Sequence, residues 1–178
     1  MAITHLKGEE VKLTGNEINV SDVAPIVKIV GQDLSEIQVG GEKGCAQVLV
    51  VVPSLDTPVC AAEARKFNEE AVKLDNIEVV VASMDLPFAM GRFCTTEGIE
   101  NLKVGSDFRN KELATAYGVL IENGALRGVA ARAVFVINAS GVVVYKEICN
   151  EITQEPNYDA AFEAAKEATN TSCCGTCQ

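Results

Sequence analysis

Histidine occurs once in the 178 residues, at His5. It falls in a leading polar stretch away from every cysteine-bearing segment, so a Cys-His catalytic pair is not expected. Basic clusters are also missing. Fifteen Lys and Arg stand against 25 Asp and Glu, for a net charge of −10. A phosphate backbone is repelled by such a surface, which argues against a nucleic-acid partner. No apolar run approaches the roughly 20 residues that cross a bilayer. The opening "MAITHLKGEE" has no apolar core of the secretory type. An intracellular, cytoplasmic protein without membrane association is the expectation. Internal repeats and long linkers are absent too. What is present suits one domain with a sizeable core, with 48% hydrophobic and 22% charged residues. We expect that domain over 1–169 and a cysteine-containing tail over 170–178.

Seven cysteines is an odd number. Cys45, Cys60, Cys94 and Cys149 are scattered, and Cys173, Cys174 and Cys177 crowd the end. A secreted disulfide scaffold is spaced otherwise. In a reducing compartment such thiols are catalytic, metal-binding or simply buried. The terminal "CGTC" is a C-x-x-C pair, but it does not open a helix after a strand. Three thiols without a histidine fall short of the four ligands of a structural zinc site. The tail reads as flexible and solvent-exposed, with auxiliary redox chemistry and metal binding as the alternatives.

The chain alternates strand and helix. "ITHLKGEEVKLTGN" predicts a short hairpin turning over Lys7–Glu10. "APIVKIVG" predicts a strand followed by a polar loop. "CAQVLVVVP", 45 to 53, is an almost continuous valine-rich run, as in a strand covered on both faces. From Pro58 to Leu74 an amphipathic helix is predicted, with Val59, Ala62, Phe67, Ala71 and Leu74 as its apolar face and Asp56 or Thr57 as N-cap. A buried strand over 77–84, a helix over 87–98, a weak strand at "LKVGSD" and a helix ending at Gly118 follow. "ARAVFVINASGVVVYKEI" predicts a hairpin about Ser140-Gly141, and an alanine-rich helix closes the chain. The fold class is α/β: a thioredoxin-like, mixed central sheet flanked by helices, with an extra N-terminal hairpin.

That order places Cys60 in the first turn of a helix fed by a buried strand. Backbone N–H groups there have no helical partners, and the helix dipole is positive. Both favour a thiolate, the nucleophilic form of cysteine. The position also lies at the carboxyl end of a sheet strand, where open α/β sheets bind ligands. The bland reading is a buried, inert thiol.

Pro53, Thr57 and Cys60 form the P-x-x-x-T-x-x-C pattern of peroxiredoxins. "PSLDTPVCAAEARKFN", "SMDLPFAMGRFCTTEGIEN" and "GVAARAVFVI" together resemble the thiol peroxidase subfamily of bacterial two-cysteine peroxiredoxins, from about residue 3 to about residue 168. The resemblance implies reduction of hydrogen peroxide and alkyl hydroperoxides by thiols, without a cofactor or a bound metal. It implies thioredoxin as electron donor, and a homodimer. Carried over by position, Cys60 is the peroxidatic cysteine and Cys94 the resolving one. Their disulfide would require local unwinding of one or both helices, since separate helices start further apart than a disulfide spans. Thr57 donates a hydroxyl to the thiolate and the peroxide, Pro53 shields the thiolate, and Arg132 orients the O–O bond with its fixed fork of donors.

Taken without the resemblance, Arg132 reads as a cap on a strand edge, and Cys94 is open between a resolving thiol and a core thiol. Arg127 reads as a surface residue, and Cys45 and Cys149 as structural. Phe88, Met90 and Phe93 read as core packing, or as a lining for the organic part of a hydroperoxide. Disulfide exchange is disfavoured because the helix starts T-P-V-C. The remaining alternative is a redox sensor or metal-handling module using Cys60 and the tail.

Overall fold

A computed structural model describes residues 2–170. Cys173, Cys174 and Cys177 lie outside the described residues, and so does the expected tail apart from Asn170. Strands β1 (Ile3–Leu6) and β2 (Glu9–Thr14) form the leading hairpin. Its turn is narrower than expected, with Lys7 and Gly8 alone joining Leu6 to its partner Glu9. Both carry positive φ, +53° and +84°, which is the geometry whose twist suits a two-residue hairpin. Strand β3 (Val27–Gly31) is followed by β4 (Glu36–Val39), a strand where the polar sequence suggested a loop.

Strand β5 (Ala46–Val51) leads to helix α1 (Pro58–Ala71), β6 (Ile77–Ser83) to α2 (Pro87–Glu97), and β7 (Lys103–Ser106) to the short α3 (Glu112–Ala116). Then come β8 (Leu120–Ile121), β9 (Ala133–Ile137), β10 (Val143–Ile148) and α4 (Tyr158–Asn170).

Seven strands make the main sheet, in the order β10-β9-β5-β6-β7-β3-β4. β5, β6 and β7 run parallel, while β9, β10, β3 and β4 pair antiparallel. The sheet is therefore mixed, and helices flank it as expected. The leading hairpin pairs with β8 in a separate three-stranded sheet.

All six residues of β5 are buried, because alternate side chains feed two cores. Leu49 and Val51 join Val11, Leu13, Leu113, Tyr117 and Ile121, where the small sheet and α3 cover one face. Val48 and Val50 join Phe67, Met90 and Phe162, where α1, α2 and α4 cover the other. Each such side chain removed from water is worth about 1.5–3 kcal/mol. Phe67 meets Phe162 edge to face at 5.2 Å, locking α1 against α4.

The apolar face predicted for α1 is corrected by the packing. Phe67 is buried, but Val59, Ala62 and Ala71 are only partly so, and the helix stops before Leu74. Cys60, Glu63 and Ala64 form the buried face with Phe67. Spacing alone drew the stripe through the apolar residues and missed the carboxylate on the inner side.

Candidate active site

β5 ends against Val52 and Pro53, both buried, and the chain turns through Ser54–Thr57 into α1. This loop is clamped. Ser54 Oγ and the Leu55 N–H both donate to the Asp85 carboxylate at 2.7 Å, and Ser83 Oγ donates to it at 2.6 Å. Asp85 thus ties the start of α1 to the segment entering α2. Thr57 is the N-cap residue by backbone geometry, but its hydroxyl donates to the Ser54 carbonyl at 3.0 Å and caps no helical N–H. Pro58 takes the first helical position, where a missing N–H costs nothing.

Cys60 is the third residue of α1 and is fully buried. Arg132, immediately before β9, reaches it from across the sheet, and its Nη2 donates to the Cys60 sulfur at 3.2 Å. Arg132 is itself 2% exposed, and its other donors are placed as firmly. Nε donates to the Ile152 carbonyl at 2.8 Å, and Nη1 donates to Glu63 Oε2. The backbone around it is held by the Cys149 N–H, which donates to the Arg132 carbonyl at 3.0 Å. Burial opposes the guanidinium charge, but Glu63 and Cys60 outweigh it and hold its pKa above the ordinary value. The strand-edge reading of Arg132 therefore gives way to a buried hub.

Glu63 is the residue that sequence reasoning missed. It is fully buried one helical turn after Cys60, and its Oε1 has no hydrogen-bond partner among the described residues. Burial pushes its pKa up to about 7, with Arg132 opposing. The sequence held a signal for it, since a residue three positions after Cys60 shares the thiol's helix face.

Thr57, Pro53 and Arg132 border one cavity of about 310 Å³, lined mainly by apolar side chains from Leu6, Val59, Leu126, Val129 and Ile152. Its polar side chains are Arg132, Thr57, Ser54 and Thr153. Phe88, Met90 and Phe93 are not part of it. Met90 and Phe93 pack into the core under α1 and α2, as the core-packing reading expects, whereas Phe88 is 71% exposed.

Cys94 lies on α2, 6% exposed and in no disulfide among the described residues. Burial raises its pKa. Its sulfur accepts a hydrogen bond from Gln32 Nε2 at 3.4 Å. α1 and α2 are fastened to each other beyond it. Arg65 pairs with Glu97 at 2.6 Å, and Asn68 Oδ1 accepts from the N–H groups of Glu100 and Asn101 at 3.1 and 2.8 Å. Cys45 is half-buried at the start of β5. Cys149 is buried, and its pKa is pushed up to about 12 by that burial and by Glu147. Its burial and its raised pKa both disfavour the nucleophilic thiolate. His5 takes up the Asn150 carbonyl through Nδ1 at 3.0 Å, far along the chain from Cys60, and Arg127 is exposed.

The redoxin family profile matches residues 19–162. A thiol peroxidase of Campylobacter jejuni is 54% identical over 180 residues, covering 99% of this chain and 98% of its own. A thiol peroxidase of Aquifex aeolicus is 50% identical, covering 92% and 96%. The crystal structure of a peroxiredoxin-like protein from Aquifex aeolicus superposes with a TM-score of 0.91 at 49% identity, over 94% of this chain and 98% of that one. A thiol peroxidase from Chromobacterium violaceum shares the fold at a TM-score of 0.84 and 19% identity.

Proposed function

The chain belongs to the redoxin family, as a thiol peroxidase of the peroxiredoxin type, and from that premise we propose that Cys60 is the thiol that reduces the peroxide. One observation carries the assignment: a buried cation donates to this one sulfur at 3.2 Å, in the first turn of a helix. An arginine so placed stays charged and holds a donor and a positive charge at the reacting sulfur. The thiolate attacks the terminal, hydrogen-bearing oxygen of R–O–O–H and the O–O bond breaks. Cys60 becomes a sulfenic acid, and the leaving RO⁻ takes a proton to give the alcohol, or water when R is hydrogen. Arg132 steadies the negative charge as it passes from sulfur to the leaving oxygen. Thr57 turns its hydroxyl from Ser54 to the bound peroxide, and Pro53 closes the thiolate off from bulk water. The apolar walls at Leu126, Val129 and Ile152 receive the organic group of an alkyl hydroperoxide.

Cys94 then resolves the sulfenic acid as an intramolecular disulfide, with water as the second product. Because both thiols sit inside intact helices, that step proceeds through local opening of α1 or α2. Thioredoxin returns the disulfide to two thiols. The working unit is a homodimer in the cytoplasm, built from one domain over 1–169 with a tail that takes no part. Among the described residues no helix is long and apolar enough to cross a membrane. The sensor or metal-handling reading has no comparable support, since thiol peroxidases match the chain nearly end to end.

The test is Cys60→Ser. A serine hydroxyl stays protonated, so turnover with hydrogen peroxide and with an alkyl hydroperoxide should both vanish. Retention of more than a few per cent of turnover would remove Cys60 from the mechanism.

A further inference from the structure

Gln32 belongs to the turn between β3 and β4, a segment with no sequence link to any cysteine. The turn is well built. The Gly31 N–H donates to the Ser35 carbonyl at 2.8 Å, and the Leu34 N–H returns to the Gly31 carbonyl at 3.0 Å. Asp33 fastens it further by accepting from the Ser35 N–H at 3.1 Å and the Ser35 hydroxyl at 2.5 Å. The turn therefore presents the Gln32 side chain from a defined backbone. Its amide reaches α2 over two residues of one face. Nε2 donates to the Cys94 sulfur at 3.4 Å. Oε1 stands 3.7 Å from where a Cβ would project at Gly91, one turn earlier. That is ordinary van der Waals distance, so the amide lies alongside this face of α2.

We propose that Gln32 is the positioning residue of the resolving thiol: its amide N–H aims at the Cys94 sulfur and favours the thiolate that attacks oxidised Cys60. The proposal rests on the reading of Cys94 as the resolving cysteine. A neutral thiol sulfur is a weak acceptor, whereas a thiolate is a strong one. The same N–H therefore stabilises the charged form more than the neutral form, against the burial that raises the Cys94 pKa. Of the charged groups on the neighbouring elements, Arg92 of α2 is exposed to solvent and others are engaged elsewhere. Asp33 is held by Ser35, Arg65 of α1 pairs with Glu97 of α2, and Lys103 of β7 pairs with Glu78 of β6. The step balances as Cys60–SOH plus Cys94–S⁻ giving the disulfide and hydroxide, which takes up a proton to become water.

The experiment measures alkylation of Cys94 against pH by peptide mass spectrometry in reduced Cys60→Ser protein. The backgrounds are Gln32, Gln32→Ala and Gln32→Glu. Loss of the donor should move the midpoint upward and slow alkylation at pH 7 roughly tenfold. Glutamate keeps the shape but replaces the donor by a carboxylate, so its midpoint should rise at least as far. A purely structural role would leave glutamate like wild type. In the Cys60-intact chain, quenched after one equivalent of peroxide, Gln32→Ala should form the disulfide more slowly with Cys60 oxidation unchanged. An unchanged Cys94 midpoint in both variants, or faster disulfide formation in Gln32→Ala, overturns the proposal. The reading of Cys94 is tested separately. If Cys60 forms its disulfide normally in Cys94→Ser protein, that reading fails, whatever the alkylation profiles give.

Discussion

Arg132 and Cys60 are 72 residues apart in sequence and 3.2 Å apart in space, joined by a hydrogen bond from the guanidinium to the sulfur. The short leg of that relationship is made by topology. β9 lies beside β5 in the sheet, so the residue just before β9 and the helix just after β5 converge at one sheet end. Arg132→Ala should slow the second-order oxidation of Cys60 by a hundredfold or more, because both the thiolate and the leaving oxygen lose their cation. Arg132→Lys should recover only part of this, lacking the fork that serves Ile152, Glu63 and Cys60 together. Competition kinetics against a second peroxidase reads the rate, and an unchanged value in Arg132→Ala would make the arginine structural.

Glu63 makes stability depend on pH. Its carboxyl titrates near the ordinary 4.5 when unfolded and is pushed up to about 7 in the fold by burial. The folded state therefore binds the extra proton between those values. The stabilisation is present below about 4.5 and is lost as pH rises through 7. Glu63→Gln removes the titration while keeping the shape. Relative to wild type it should gain about 2 to 3 kcal/mol between pH 5 and pH 8. Urea unfolding of reduced protein at the two pH values checks this, and parallel shifts of both proteins would refute it.

The cavity predicts a split between substrates. Val129→Asp places a charge in the apolar wall opposite Arg132 and Thr57. Turnover of an aryl hydroperoxide should fall by roughly tenfold, and that of hydrogen peroxide by much less, since only the former fills the wall. Phe88→Ser should leave both unchanged, because Phe88 is exposed on α2 outside the cavity. Equal losses for both substrates in Val129→Asp would locate the organic group elsewhere.

These residues differ in how far they could be read in advance. The valine run of β5, the proline at the helix start and the thiol behind it are local signals, and each element they predict is present. β4 is hard to read from sequence because "EIQV" is half polar, as suits an edge strand with one wet face. β8 is two residues long and holds through its partner β2 and through the segment 128–131 that folds back on it. Glu63 was hidden for a different reason. A carboxylate on the inner face of a helix contradicts the apolar pattern unless its cation is known, and that cation lies 69 positions away. The group Phe88, Met90 and Phe93 reads first as core packing and second as a substrate lining, whereas the fold assembles the apolar wall from Leu6, Leu126, Val129 and Ile152. No periodicity links those four. Only the packing of the leading hairpin and the segments flanking β8 and β10 brings them to one place.

The division of labour between Cys94 and the terminal cysteines gives the last prediction. Cys94→Ser keeps Cys60, Arg132 and the cavity intact, so it should still consume one peroxide per chain. Thioredoxin-coupled turnover should then fail or slow greatly, because no Cys60–Cys94 disulfide forms. Cys60 should also pass more readily to sulfinic acid, which ordinary thiol reductants do not reverse. Truncation after Asn170 removes Cys173, Cys174 and Cys177 but leaves α4 and both reacting thiols, so its turnover should match wild type. Peptide mass spectrometry after substoichiometric peroxide distinguishes the routes. If Cys94→Ser cycles normally and the truncated chain does not, the oxidising equivalent leaves Cys60 for a terminal thiol. The buried Cys94 would then be a core residue of α2 that happens to face Gln32.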